Sequence, residues 1–264
     1  MLPQCLRPFV AFCIGLVLFA ALSAGTSWVV DAAGLAPQGM AGGMAARQII
    51  IKSAMLVLSV ALMFLISRPR QVWGLAAPRA PAGGAGGWLI GTLVPVAIGG
   101  VLGAVATATI LGFGFTPMSG LREMGFLRMI AIVWFGSTLA EEVFVRGLIQ
   151  GWMQPGSPDV ADHAPASTAG LGSGGGGGGG RIIASGLLFG AMHASLFLNN
   201  DARTAATIVM ATTLLGLVCA WSREQTGSLV GPLLAHFAFN ACSIIGGIAV
   251  ILLKGFPPNM GPPA

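Results

Sequence analysis

Apolar runs of about 20 residues, the length at which an α-helix crosses a hydrocarbon core, recur near residues 9–30, 49–66, 88–112, 127–152, 182–198, 204–222 and 229–253. A backbone in lipid must satisfy its own hydrogen bonds. The repetition therefore predicts an all-α polytopic membrane protein of about seven transmembrane helices, organised as a single membrane domain over 1–264. Composition agrees: 8% of the residues are charged, against roughly a quarter in a soluble domain. The 13 basic and 8 acidic residues are spread thinly, and no cluster is dense enough to bind nucleic acid. The expected partner of the surface is the lipid bilayer, with the bacterial inner (plasma) membrane as the expected location.

The first run has one early arginine and small residues after it, as a cleaved signal peptide has. Its apolar stretch nevertheless continues through Trp28 and Val30, too long for a signal h-region, so a retained helix is expected. With the amino terminus cytoplasmic, Arg7, Arg68, Arg70, Arg79, Arg181 and Arg223 fall inside, and Arg47, Lys52, Arg122, Arg128, Arg203 and Lys254 outside. That balance has no bias. The concentrated trio Arg68, Arg70 and Arg79 favours a cytoplasmic loop, which places the amino terminus inside and the carboxyl terminus outside. Cys5, Cys13, Cys219 and Cys242 lie in or beside apolar stretches without CxxC or Cys/His metal spacing, and read as small packing residues.

Residues 154–180, "QPGSPDVADHAPASTAGLGSGGGGGGG", are rich in Pro, Ser and Gly and predict a flexible loop, with His163 solvated. The glycine run is no phosphate cradle, because GxxxxGK[ST] requires a lysine that does not follow.

Against this background the ionisable groups can be located one by one. Asp31, Glu123, Asp159, Asp162, Asp201 and Glu224 fall in loops or at helix ends, which leaves Glu141 and Glu142 at membrane depth. His193, His236, Arg146 and Asn240 share that depth. A charge there costs at least about 2.5–3.5 kcal/mol, and such groups face a bundle interior or a water-filled cavity. Glu142 and Arg146 are four residues apart on one helical face, acid toward the amino end, so a charge-assisted pair neutralises both. Glu141 points about 100° around the helix and stays free of that pair, available to water. His236 and Asn240, also four apart, can aim at one point. Phe189, four before His193, reads as packing.

A carboxylate beside an imidazole can activate water, and a second imidazole with an amide can donate to the oxyanion formed when water adds to a carbonyl. The same carboxylate and two imidazoles could instead ligate zinc, as Glu141, His193 and His236, although no HExxH occurs. Proton-linked transport is the competing use of buried Glu and His; against it, the chain shows no internal repeat of helices.

Three motifs in order on successive apolar segments, "EEVFVR", "FGAMH" and "HFAFN", match EExxxR, FxxxH and HxxxN. Together they resemble the CPBP (Abi) family of intramembrane proteases, relatives of the type II CAAX prenyl endopeptidase. "TGSLVGPLLAHFAFN", with Thr226, Gly227, Ser228 and Pro232 ahead of His236, resembles the family's approach to its last motif. The likeness covers residues 127–245, the expected catalytic core. It implies an active site inside the bundle and endopeptidase action on a membrane-associated protein or peptide. Glu141 would be the water-activating base, assisted by His193. His236 and Asn240 would form the oxyanion hole, and Glu142 with Arg146 would support the site. No cofactor is preferred, zinc being the alternative. A member that binds a partner or confers immunity without catalysis would carry the same motifs. The polar insert before Arg181 departs from the family pattern.

Overall fold

A computed structural model describes residues 3, 6–34, 40–66, 70–75, 85–112, 130–154, 177–198 and 200–254. Among these there is no strand. The helices are α1 (Arg7–Ala32), α2 (Met40–Leu65), the short α3 (Arg70–Trp73), α4 (Ala85–Gly112), α5 (residues 130–152), α6 (Gly177–Ala191), α7 (Ala202–Thr226) and α8 (Val230–Lys254), with a 3₁₀ turn at Ala194–Leu198 after α6. Six helical stretches, in α1, α2, α4, α6 with its 3₁₀ turn, α7 and α8, are each long and apolar enough to cross a membrane. Side chains such as Trp28, Phe64 and Leu253 point away from the protein, as lipid-facing residues do. The chain is an integral multi-pass membrane protein.

The expected seventh span is present as α5 but is not one regular α-helix. An α-helical stretch, Thr138–Glu142, is flanked by π-helical Ile130–Ser137 and Val143–Ile149, and a second, Gln150–Trp152, follows. Helix α2 starts earlier than its apolar run, and α6 starts at Gly177, inside the glycine run expected to be loop. At Gly180 a side chain would press on Pro8 of α1, so a residue without Cβ lets α6 begin against that neighbour. The remaining loop residues 155–176, with His163, lie outside the described residues, as do Cys5, Arg68, Arg79, Arg122, Glu123 and Arg128.

Apolar lipid gives helices no hydrophobic reason to associate, so small residues that permit close packing decide which helices meet. The most extensive pair is α4 with α8. A side chain at Gly99 or Gly103 of α4 would collide with the backbone carbonyls of Ala235 and Phe239, and one at Gly246 of α8 would meet the Ala104 carbonyl at 2.5 Å. Ala235 and Phe239 directly precede His236 and Asn240, so the glycines fix the register of the helix that carries both.

Pro95 lies inside α4, and its missing N–H leaves the Gly91 carbonyl without the usual helical donor. Ser222 of α7 supplies one: its hydroxyl donates to Gly91 O at 2.6 Å. Ser222→Ala is expected to cost about 1–3 kcal/mol, the cost of stranding a buried acceptor. Melting of the purified protein in detergent checks this, and adding Pro95→Ala, which restores a backbone donor, should recover most of the loss.

The turn into α8 is closed by polar side chains. Gly227, at φ 67°, ends α7 in the left-handed conformation that glycine adopts without strain, and its N–H bonds Arg223 O at 2.9 Å. Ser228 Oγ accepts from Val230 N at the start of α8 at 3.3 Å, and Leu229 N bonds Gly74 O at 3.0 Å. At the opposite end of α7, Asp201 accepts from the Arg203 and Thr204 amides, both at 3.1 Å. Hydrogen bonds from Thr204 pull this exposed carboxyl below its ordinary range.

Candidate active site

The two glutamates of "EEVFVR" sit on the α-helical stretch of α5 and face different partners. Glu142 and Arg146 are fully enclosed, with Arg146 Nη1 donating to Glu142 Oε1 at 3.1 Å. Arg146 Nη2 bonds Gly216 O of α7 at 3.0 Å, and its guanidinium lies 4.4 Å from the Phe189 ring centroid. The arginine thereby ties α5 to both α6 and α7. Gly216 itself packs where a Cβ would stand 2.9 Å from Gly186 O of α6.

Glu142 Oε1 also accepts from His236 Nδ1 at 2.9 Å. An ionised carboxylate can only accept, so Nδ1 carries the proton and, in the neutral ring, Nε2 keeps its lone pair. That Nε2 lies 3.9 Å from Glu141 Oε2. His236 therefore stands between the two glutamates, held by one and turned toward the other. His193 donates Nδ1–H to its own helix, at Phe189 O, 2.8 Å, which likewise leaves Nε2 as the acceptor.

Phe189 does more than pack. Its ring is the common neighbour of His193 (centroids 5.2 Å apart) and His236 (5.3 Å, edge-on), with Arg146 over it. One buried ring thus sets the spacing of both imidazoles. Lys52, His193 and His236 all lie within electrostatic reach of Glu141. Asn240 faces the same helix one turn further along α8, its Nδ2 donating to Thr138 Oγ1 at 3.0 Å.

Glu141 is not free, as the spacing within α5 alone suggested. Lys52 Nζ of α2 and Ser137 Oγ of α5 both donate to its Oε1, each at 2.6 Å. Sequence reading had placed Lys52 among the charges outside the membrane. Its signal was its position inside the apolar run "IIIKSAML", where a lysine needs a partner as much as a glutamate does. Ser137 stands one helical turn before Glu141, a spacing at which the two side chains meet. The four charges cancel in pairs, Lys52 with Glu141 and Arg146 with Glu142. Pairing of this kind is what makes burial of such groups tolerable.

Glu224 lies in the last turn of α7, at a helix end as expected, but not in solvent. It is enclosed, and it holds Arg181 through two hydrogen bonds of 3.1 and 2.7 Å. Gln150 of α5 and Gln154, just beyond its end, donate to the same carboxylate at 2.8 and 3.1 Å. Glu142, Arg146 and Gln150 form a polar stripe at four-residue intervals along α5, and its far end is this second network.

Glu141, His193 and His236 are the set that zinc would require. Among the described residues no group of three His, Cys, Asp or Glu side chains is placed to hold a metal. The Lys52 ammonium already lies against the carboxylate. Cys13, Cys219 and Cys242 are free thiols, and Cys219 packs against the Pro232 carbonyl.

Residues 123–242, which contain every one of the glutamates, histidines and the asparagine described above, match the model of the type II CAAX prenyl endopeptidase Rce1-like family. Over that segment the chain is similar to this family, in line with the three CPBP-like motifs it contains. No curated protein and no solved structure matches it. The match spans the three motifs and leaves out α1 to α4, so the Lys52 contact with Glu141 comes from outside the matched segment. Within the segment, the EExxxR, FxxxH and HxxxN motifs converge on Phe189 and Glu142.

Proposed function

We propose that the protein is an intramembrane endopeptidase that hydrolyses a peptide bond of a membrane-associated protein or peptide, with Glu141 and its neighbouring histidines activating water. The observation that carries this reading is the asymmetry of Glu141. Oε1 is taken by Lys52 and Ser137, while Oε2 faces the His236 Nε2 lone pair at 3.9 Å. Two acceptors turned to one point suit a water that offers a hydrogen to each.

Glu141 Oε2 takes a proton from that water as its oxygen adds to the scissile carbonyl carbon. His193, neutral with an open Nε2, assists. The negative charge on the carbonyl oxygen is met by the second Nδ2–H of Asn240 and by His236, to whose Nε2 Glu141 passes the water proton while Glu142 holds Nδ1. Collapse breaks the C–N bond, and the departing amine takes the proton that Glu141 received. Glu142 and Arg146 keep His236 and the helices in place.

The reading includes a reaction without a metal, since the Lys52 ammonium stands at the carboxylate where a cation would bind. It predicts that exhaustive chelation leaves cleavage unchanged and that the active enzyme contains no stoichiometric zinc by elemental analysis. Metal dependence restored by added zinc would overturn that part alone. The proposed location is the bacterial inner membrane. Comparison of protein termini in membrane and secreted fractions, between cells carrying the wild type and cells carrying Glu141→Gln, tests the activity. At least one new terminus should disappear with the variant, and identical termini would refute the proposal.

A further inference from the structure

Two buried ion pairs outside the Glu142–Arg146 contact join separate helices. Arg181 with Glu224 is cross-bonded by Gln150 and Gln154 at a distance from both histidines, and reads as a strut between α5, α6 and α7. Lys52 with Glu141 is different, because one partner is the proposed base. We propose that Lys52 is a positioning residue for the hydrolysis, its ammonium holding Glu141 by Oε1 so that Oε2 is the oxygen turned to His236 and to the reacting water. The inference rests on the endopeptidase reading and deepens it.

Three observations carry it. Lys52 and Ser137, from different helices, both bind the same oxygen at 2.6 Å. A carboxylate held at one oxygen by two donors has lost the freedom to rotate, and its other oxygen becomes the accessible one. Lys52 is itself enclosed, its side chain 15% exposed against 6% for Glu141, so neither partner is loosened by bulk water. Finally, Lys52 reaches Glu141 across 89 positions of sequence, from α2, which packs along the π-helical and α-helical stretches of α5. Among the described residues of the segment matched to the family no Lys or Arg bonds Glu141, so this chain supplies the constraint from its amino-terminal half.

The test has an arm on activity and an arm independent of it. Lys52→Met keeps the apolar stem and removes the charge; kcat is expected to fall about 100-fold or more with KM changed less than about threefold, the signature of an effect on the chemical step. Lys52→Arg, which keeps the charge, is expected to retain kcat within about tenfold of wild type. A merely structural lysine would not separate kcat from KM or discriminate between these variants. The second arm is a melting cycle in detergent with Lys52→Met, Glu141→Gln and the double variant. Glu141→Gln strands an enclosed ammonium, so removing Lys52 as well should raise the melting temperature back toward wild type. Additive losses in this cycle, or Lys52→Met activity within threefold of wild type, overturn the proposal. If the wild type itself cleaves no substrate, the endopeptidase reading fails. The melting cycle then decides alone whether Lys52 holds Glu141.

Discussion

Arg146→Met should destabilise the protein by about 3–5 kcal/mol, the range observed when one partner of a buried ion pair is removed. The guanidinium has three contacts that methionine cannot replace: Glu142 Oε1 at 3.1 Å, Gly216 O at 3.0 Å and the face of Phe189. Loss of the first is the costly one, because Glu142 is left as an enclosed carboxylate with no cation beside it among the described residues and with His236 as its remaining donor there. Against a total stability of about 5–15 kcal/mol for a typical domain, this is enough to lower the melting temperature in detergent by roughly 10 °C. The decisive measurement is the cycle with Glu142→Gln. Removing both charges should cost less than Arg146→Met alone, since the main penalty is the unpaired carboxylate rather than the lost attraction. A double variant as unstable as the sum of the two singles would mean that the pair contributes through packing only. Loss of activity in Arg146→Met should follow loss of folded protein, because Phe189 and Glu142 together set the positions of both histidines.

Much of this arrangement was legible in the chain because membrane burial makes polar residues conspicuous. An apolar run of about 20 residues admits few structures, so the helices at α1, α2, α4 and α6 to α8 could be placed without tertiary information. The Glu142–Arg146 pair followed from spacing within one helix. What spacing could not supply was contact between helices. Lys52 and Glu141 lie in different runs, and only the packing of α2 on α5 brings them together. Gln150 and Glu224 escaped for the same reason: an uncharged amide in an apolar run draws no attention, and a glutamate near a helix end passes for solvated. The π-helical stretches of α5 left no trace in the hydrophobic pattern, since that pattern reports which residues are apolar and not which carbonyl each amide reaches. The early start of α6 shows the converse limit. Glycine composition predicted a loop over 154–180, but propensity is a weak prior that packing overrides, and Gly177–Gly180 are helical where α6 begins beside α1.

Glu141→Gln is expected to reduce kcat by about 10³-fold, within the range that a positioned general base contributes, while the protein still folds in membranes. The amide has the shape of the carboxylate and can still accept from Lys52 and Ser137 through its oxygen, so the helices keep their places. What it cannot do is take a proton from water through the group that replaces Oε2, which now bears hydrogens itself and turns a donor toward His236 Nε2. Water between them is no longer polarised, and the step that forms the C–O bond loses its base. The separation from stability is the point of the comparison with Arg146→Met: both abolish product, but only the arginine variant should lose folded protein. Stranding of Lys52 lowers the melting temperature of Glu141→Gln modestly, because a long side chain at 15% exposure can shift its ammonium toward the surface. Steady-state cleavage measured on equal amounts of folded protein checks the claim. Activity within tenfold of wild type would remove Glu141 as the base and leave His193 or His236 to fill that role. A 10³-fold loss at unchanged KM would assign the chemistry to Glu141 Oε2, the oxygen opposite the one that Lys52 and Ser137 hold.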